Sequence, residues 1–224
     1  MTEDQKQYSC EHVVPIEEEP RHHLVIENEF VRAFAVEIAP HDRTLCHLHP
    51  HDYLLYVVGD GDIVSAARDE EPKKLSYRDG ECELLEAGMV HVVENLADTA
   101  FRNVVVELLP GAAGLRRGAD PIVVAGEANI TRRLEDERAV ILLLEMKSGS
   151  EVLICGPAVV AGSPEGGEVD SGELHKVAGA NDFSGLAWIP EGKRVRLQTS
   201  ANASRRALVF QVGNIGLNTS ASRR

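Results

Sequence analysis

The chain has 224 residues, with 23 Lys and Arg against 36 Asp and Glu, and a formal net charge of −13 at pH 7. This acidity disfavours phosphate backbones and anionic lipid surfaces, so we expect neither nucleic acid nor a membrane as partner. The sequence contains no apolar run of about 18 residues, and its polar N-terminus lacks the apolar stretch of a secretory signal. We therefore expect a cytoplasmic protein of one large or two small domains.

The cysteines are far apart in the sequence and include no C-x-x-C pair. They are Cys10, Cys46, Cys82 and Cys155. This spacing excludes a disulfide framework and a zinc ribbon. We expect ordinary reduced thiols.

Short apolar segments bounded by Gly, Pro, Asp or Asn predict strands along most of the chain. The predicted strands are Phe30–Ile38, Tyr53–Val58, Asp62–Ala67, Val90–Glu94, Phe101–Leu109, Ala139–Met146, Leu186–Ile189, Arg194–Thr199 and Ala207–Val212. Their length and spacing favour an all-β sandwich or barrel. Residues 129–139 could begin a short helix, but an internal repeat argues against one.

A weak repeat relates the two halves of the chain. Ile26–Glu29 matches Leu134–Glu137 at an offset of 108, and Arg102–Leu108 matches Arg206–Val212 at an offset of 104. The repeat predicts a duplicated β domain. We expect a tail at 1–20, a first barrel at 21–112, a linker at 113–128, a second barrel at 129–213 and a tail at 214–224.

Histidines are concentrated in the first half, where an H-x-H pair precedes an isolated third histidine. Alternate side chains of a strand point the same way, so His47 and His49 can share a metal ion. His91, in the motif that runs from Gly88 to Asn95, supplies a third ligand from a neighbouring strand. Imidazole suits several metals, so we predict one divalent ion and leave Fe, Zn, Ni and Mn open. The alternative is that the H-x-H pair lies in a surface loop.

These motifs resemble those of the cupin superfamily, and the repeat resembles a bicupin. The H-x-H pair with Gly59 or Gly61 is similar to the first cupin motif, and Gly88, His91 and Asn95 are similar to the second. The resemblance covers residues 22–110 well and 130–212 more loosely. It implies double-stranded β-helix (jelly-roll) barrels in duplicate, and it implies a homodimer.

The chain departs from the cupin pattern at two positions. The usual carboxylate ligand would fall at Tyr53 or Leu54, and the proline of the second motif is Glu86. The remaining neutral three-histidine face resembles the iron sites of some cupin dioxygenases, and it equally fits a weakened site. Tyr53 and Glu86 are candidate catalytic groups, although such a tyrosine is also a common packed barrel residue. His51 has the same parity as the H-x-H pair, but Pro50 interrupts the strand.

The second half lacks equivalents of these ligands. The repeat offsets place His47 near Cys155 and His91 at Val195, and the only histidine of this half is His175. We expect a structural lobe, or one with an apolar pocket around Trp188.

Three functions fit the sequence. The first is a metal-dependent dioxygenase or isomerase acting on a small organic molecule, with Tyr53, Glu86 and Glu94 as the nearby acid/base candidates. The second is a non-catalytic small-molecule-binding or sensor protein with a weakened metal site. The third is a structural barrel with a vestigial site.

Overall fold

A computed structural model describes residues 8, 10–118, 121–162, 174–176, 185–199 and 204–215, with the backbone alone at 174–176 and 215. The chain divides into two compact units, Met1–Leu109 and Pro110–Arg224. Strands and two short 3-10 helices make up the regular structure of the described residues, which include no α-helix. The predicted all-β class is confirmed. Among these residues, no helix is long and apolar enough to cross a membrane.

The N-terminal unit consists of two five-stranded sheets that face each other across an apolar core. Its strands are β1 (Val14–Pro15), β2 (His22–Glu27), β3 (Val31–Ile38), β4 (His47–His49), β5 (Tyr53–Val58), β6 (Gly61–Ala67), β7 (Lys73–Tyr77), β8 (Cys82–Leu85), β9 (Met89–Asn95) and β10 (Phe101–Leu108), with helix η1 (Ile16–Glu18) after β1. One sheet has the order β1-β4-β9-β6-β7 and the other β2-β3-β10-β5-β8.

The C-terminal unit shares the central strand order of this arrangement, but its described sheets differ in strand number. It contains η2 (Pro110–Gly114), β11 (Arg116–Arg117), β12 (Ile122–Ala125), β13 (Ala128–Glu135), β14 (Ala139–Met146), β15 (Glu151–Cys155), β16 (Ala158–Gly162), β17 (Leu174–Lys176), β18 (Gly185–Ile189), β19 (Arg194–Gln198), β20 (Arg205–Val212) and β21 (Asn214–Ile215). Its larger sheets have the orders β12-β15-β19 and β13-β14-β20-β16-β18-β17.

The predicted strands all occur, most with ends shifted by one or two residues. Residues 129–139 begin in strand β13 rather than in a helix. The segment 113–128, expected as a linker, contains β11 and β12, and the expected tail 1–20 contains β1 and η1.

Strand pairing reproduces the offsets of the sequence repeat. His22 pairs with Val36 on β3, and Ile130 pairs with Leu144 on β14, which is a shift of 108 at both positions. Phe101 on β10 pairs with Ile38, and its counterpart Arg205 on β20 pairs with Met146. The two units are therefore built on one strand plan.

The expectation of reduced thiols is wrong for two of the cysteines. Cys10 and Cys46 form a disulfide, whereas Cys82 and Cys155 are not disulfide-bonded. The bond joins residues 36 apart in sequence, so no short-range cysteine motif signals it. Parallel pairing of β1 with β4, Val14 beside His47, brings the two thiols together.

Loss of this disulfide should destabilise the N-terminal unit. We expect Cys10→Ser to lower the free energy of unfolding by about 2–4 kcal/mol, because the link restricts the unfolded chain. Urea unfolding measures the change. Cys82→Ser, which removes a thiol outside the disulfide, is the matched control and should change stability by less than about 1 kcal/mol. Equal stability of the two variants would contradict the assignment, as would four titratable thiols in the denatured, unreduced protein.

Candidate metal centre

Four buried histidines meet in the interior of the N-terminal unit. His47 and His91 are directly paired across β4 and β9, and His49 lies two residues further along the same face of β4. The fourth, His22, comes from β2 in the opposite sheet. Their relative exposures are 0 % for His47, 1 % for His49 and 8 % for both His22 and His91.

The rings are close enough to share one ion. His22, His47 and His49 each offer a ligand atom within 4.8 Å of the others, and they are the one such group of His, Cys, Asp or Glu within the described ranges. The Nε2 atom of His91 lies 3.1 Å from that of His47. The trio whose ligand atoms meet this distance thus contains His22, which the sequence analysis missed, with His91 directly beside His47.

Hydrogen bonds at Nδ1 fix the orientation of two rings. The Nδ1 atom of His22 lies 2.8 Å from a carboxylate oxygen of Glu19, and that of His47 lies 2.9 Å from the carbonyl oxygen of Leu45. Both partners only accept hydrogen bonds, so each Nδ1 must carry the proton. The lone pair that remains for a metal is therefore on Nε2 in both rings.

Ser65 gives His91 a partner that suits either tautomer. Its Oγ lies 3.4 Å from the Nδ1 atom of His91, and a hydroxyl both donates and accepts. Without a metal, the Nε2–H of His91 can donate to the Nε2 lone pair of His47. With a metal, the His91 proton can reside on Nδ1 and point to Ser65.

Glu107 stands behind His49 in the same interior. One oxygen of Glu107 accepts bonds from the Nε and Nη2 atoms of Arg32 at 2.8 and 2.6 Å. The other oxygen lies 4.0 Å from the Nδ1 atom of His49, and neither of these two buried atoms has a hydrogen-bond partner. A small approach of the His49 ring would satisfy both atoms and would direct its Nε2 to the centre.

The carboxylate of Glu19 connects three parts of the site. Besides His22, it accepts bonds from the backbone N–H groups of Arg21 and Leu45 at 2.7 and 3.1 Å. Burial raises the pKa of the Glu19 carboxyl, but the hydrogen bond and charge of His22 and these backbone donors outweigh burial and lower the pKa to about 2. Glu19 is therefore an anion that holds helix η1, His22 and the start of β4 together.

The imidazoles of β4 and β9 are neutral at neutral pH. Burial, followed by the charge of His22, lowers the pKa of His47 to about 4. Burial and the neighbouring histidines also lower the pKa values of His49 and His91. Neutral imidazole is the form that binds metals, so these rings need lose no proton to bind one.

The donor set fits a divalent transition metal. His22, His47, His49 and His91 would hold the ion, with no carboxylate in direct reach other than those behind the rings. Imidazole donors suit Fe, Zn, Cu and Ni, whereas Mn prefers oxygen ligands. The Nδ1 atom of His49, which has no partner, is also placed to form a hydrogen bond with Glu107 once a metal holds the ring.

The structure does not bring both candidate catalytic residues to the site. Tyr53 does lie there: its ring stacks on His49 at a centroid distance of 4.0 Å, and its hydroxyl donates to the Met89 sulfur at 3.4 Å. Burial, with a contribution from Glu83, raises the pKa of Tyr53, so the tyrosine packs and orients His49 as a protonated group. Glu86 is exposed on the turn before β9 and lies outside the residues that line the pocket, which corrects its expected role.

The remaining candidates have other roles. Glu94 accepts a hydrogen bond from Tyr8 at 2.6 Å. His51 is half-buried outside the histidine cluster. The motif residue Asn95 is structural: its amide donates to the carbonyl groups of Ile38, Ala39 and Thr99.

Gly88 has a turn role that only glycine meets easily. Its φ of 91° lies in the left-handed region, and its N–H donates to the carbonyl oxygen of His49 at 2.8 Å. The second motif thus begins with a turn that aligns β9 against β4.

An apolar pocket of about 220 Å³ opens onto the histidines. Its inner wall includes His22, His49 and His91. Apolar side chains from both sheets form most of the rest: Val36, Ile38, Leu55, Ile63, Leu75, Leu85, Met89, Val93, Phe101 and Val105. Glu70, Glu71 and Lys73 lie towards its solvent side.

The C-terminal unit has apolar side chains where the N-terminal unit has ligands. Ile154 pairs with Val195 as His47 pairs with His91, and both belong to a buried apolar cluster. A cavity of this unit is lined by residues 126–129, 145–147 and 204–206, and Trp188 does not line it. The side chain of His175 lies outside the described part of the chain.

Sequence spacing could not identify the positioning groups. His22 and Glu19 form an E-x-x-H pair before the first barrel strand, which is a weak signal by itself. Glu107 follows the apolar run Val104–Val106 as a single polar residue near the end of β10. The signal that could have found it is its inward parity with Val105 on β10.

Comparisons with known proteins support the fold. No family model and no curated protein matches the chain. Among solved structures, a vicilin from Solanum melongena has a TM-score of 0.56 at 14% identity and covers 82% of this chain and 75% of its own. A salicylate 1,2-dioxygenase from Pseudaminobacter salicylatoxidans has a TM-score of 0.53 at 12% identity, covering 85% and 76%. A cupin domain from Bordetella pertussis Tohama I is 24% identical over 39% of this chain and 90% of its own, with a TM-score of 0.37.

The vicilin and the salicylate dioxygenase, both with TM-scores above 0.5, support one fold class. The chain has the cupin fold in duplicate, two double-stranded β-helix barrels, as the motifs and the repeat predicted. At these identities the likeness shows the fold and leaves the chemistry to the site.

The Glu19–His22 contact should strengthen metal binding. We expect Glu19→Gln to weaken binding about 10–100-fold, because a neutral amide orients His22 less strongly than a carboxylate does. Competition with a chelating dye measures the affinity. Glu18→Gln, on the exposed side of η1, is the matched control and should bind as the unchanged protein does. Equal affinities for the two variants would contradict a role of Glu19 in positioning His22 for the metal.

Acid should destabilise the metal-free N-terminal barrel. The unfolded chain protonates His47, His49 and His91 near pH 6.5, whereas the folded chain does so only at lower pH, near 4 for His47. Their contribution is therefore present above about pH 6.5 and is lost as the pH falls. Burial raises the pKa of Glu107 to about 7, despite Arg32, which acts in the opposite direction. Three imidazoles outweigh this one carboxyl.

Hydrogen exchange of β4 and β9 backbone amides checks this pH dependence. We expect faster exchange, after correction for intrinsic rates, at about pH 5 than at about pH 7.5. His49→Gln should reduce the difference. Protection that is independent of pH would contradict burial of neutral imidazoles.

Proposed function

We propose that the N-terminal barrel is a metal-dependent oxygenase that acts on a small organic molecule. The proposed ligands are His22, His47, His49 and His91. The observation that carries the proposal is the convergence of four buried imidazoles at the inner end of an apolar pocket. Hydrogen bonds determine, or are placed to determine, which nitrogen of each ring carries the proton. A structural barrel has no need of such a cluster, since buried polar groups cost stability unless they are satisfied.

The bound ion would supply a redox or Lewis-acid centre with positions open for substrate. The protein would supply neutral imidazole ligands, the hydrogen-bond partners that orient these imidazoles, and apolar pocket walls that exclude water. Fe, Zn and Ni match the imidazole donors, and Fe is the metal that suits O2 chemistry. Four imidazoles make Mn the least suited of the expected ions.

The pocket walls favour oxygenase over isomerase chemistry. An isomerase that moves a proton needs an acid or base facing its substrate. Tyr53 has a raised pKa, and the Glu83 carboxylate already accepts a hydrogen bond from Tyr77 at 2.9 Å. Glu107 is paired with Arg32 behind His49 and does not line the pocket. The ion is therefore the main reactive element that this pocket offers.

A non-catalytic binding or sensor protein is the second candidate. The carboxylate of the cupin motif is absent, and the described C-terminal unit has apolar residues at the ligand positions. The neighbours include both kinds of protein, a dioxygenase and a vicilin described with anionic ligands in its pockets. A homodimer and a cytoplasmic location remain part of the proposal.

Elemental analysis and oxygen uptake together test the proposal. We expect about one divalent ion per chain in protein purified without added metal, and its loss in His47→Ala and His91→Ala. His41→Ala, at an exposed turn, is the control and should keep the ion. Iron-loaded protein should consume O2 with a member of a panel of thiols, diketones and ring compounds.

Each outcome has a distinct meaning. Unchanged metal content in the two alanine variants would overturn the ligand assignment. Bound metal without O2 consumption across the panel would favour the sensor. Two ions per chain would place a second site in the C-terminal unit and contradict the single-site assignment.

A further inference from the structure

The pocket of the N-terminal barrel has the volume of one substituted ring. A dry cavity of about 150 Å³ holds benzene, and this pocket measures about 220 Å³. The additional space accommodates a few more non-hydrogen atoms and no second ring. The volume of the pocket therefore limits the ligand to about one substituted ring, whatever its functional groups are.

The residues that line the pocket favour an uncharged ligand. Arg32 already pairs with Glu107, behind His49, and with Glu17 at 3.2 Å. Lys73 pairs with Glu70 at 2.6 Å, where both side chains are more than half exposed. The Glu83 carboxylate, which also lines the pocket, already accepts a hydrogen bond from Tyr77 at 2.9 Å. A ligand charge away from the metal would thus meet only charged groups that already have partners, which makes its burial costly.

Asn103 adds one specific polar contact to these apolar walls. It lies on the inward face of β10 between Phe101 and Val105, lines the pocket and is only 8 % exposed. Its Oδ1 atom has no hydrogen-bond partner. Buried amide oxygens normally accept a hydrogen bond, so a ligand that donates one would satisfy this atom.

The position of Asn103 places that donor away from the metal ligands. Asn103 pairs with Val36, and Val36 pairs with His22 on the next strand. Two strand spacings put the backbones of Asn103 and His22 about 10 Å apart on one level of the sheet. A single ring can lie between the two side chains.

We propose that the pocket binds an uncharged, monocyclic-sized apolar molecule that donates a hydrogen bond from a hydroxyl or N–H group to Asn103. The opposite edge of the molecule faces the histidines. This inference rests on the pocket of the proposed oxygenase, but it concerns binding and does not require turnover.

Four probes test the class: phenol, toluene, benzoate and glucose. Calorimetry or ligand-observed NMR is done with the full chain, as purified and again after metal removal by a chelator, so that bonds to the metal can be separated from wall contacts. We expect metal-free protein to bind phenol about tenfold more tightly than toluene, which is the range of one hydrogen bond. Benzoate and glucose should bind more weakly than phenol.

Two variants assign the contacts. Asn103→Leu should remove the preference for phenol and leave toluene binding unchanged, whereas Asn129→Leu in the other unit should change neither. Leu75→Trp should fill the pocket and weaken phenol and toluene binding at least tenfold. Leu24→Trp, on the exposed side of β2, is its control.

The inference fails if phenol does not bind, if benzoate or glucose binds metal-free protein more tightly, or if Asn103→Leu keeps the preference for phenol. A circular dichroism spectrum confirms that each variant is folded, and the toluene affinity of Asn103→Leu gives a second check. Probe binding without O2 consumption would refute the oxygenase and leave this inference standing. O2 consumption with a charged or larger substrate alone would refute this inference and leave the oxygenase standing.

Discussion

Four imidazoles are buried in the interior of the N-terminal barrel, so the protein itself must satisfy the ring nitrogens that face away from the pocket. That constraint explains the groups around the cluster. Glu19 on the segment after η1, the carbonyl group of Leu45, Ser65 on β6 and Glu107 on β10 each stand beside the Nδ1 atom of one ring. The Nε2 side of each ring is left, and it faces the neighbouring histidines. A face of Nε2 lone pairs, the kind of donor that suits a metal, thus results from polar satisfaction on the opposite side.

The C-terminal unit shows that the strand plan does not depend on this cluster. Equivalent pairings place Ile154 beside Val195, and the counterpart of Glu107 by the repeat offset is Gln211. Apolar contacts replace ligands there without a change in sheet order around β14 and β20. The fold is therefore a common scaffold, and the chemistry resides in a few inward positions of one copy.

The strands could be predicted because β-branched runs and Gly or Asp turns are local signals. His47 and His49 could be paired because strand periodicity links residues two apart. His22 could not be found in this way, since it joins them from the other sheet and no sequence spacing encodes a contact across a barrel. The same reason hid Glu107, and the Cys10–Cys46 bond depends on the parallel pairing of β1 with β4, which no local pattern signals. Glu86 was misplaced because the turn that holds it points outward, which depends on register.

Strand β1 has a consequence for the behaviour of the whole chain. It covers the outer edge of β4, where the N–H of Val14 donates to the carbonyl oxygen of Cys46, and Pro15 offers no N–H of its own to a further strand. Sheet edges with unpaired backbone groups recruit other chains. The disulfide holds this short strand near β4 and so favours solubility. If reduction released β1, the edge of β4, which carries two histidines, would be exposed and could pair with a second molecule.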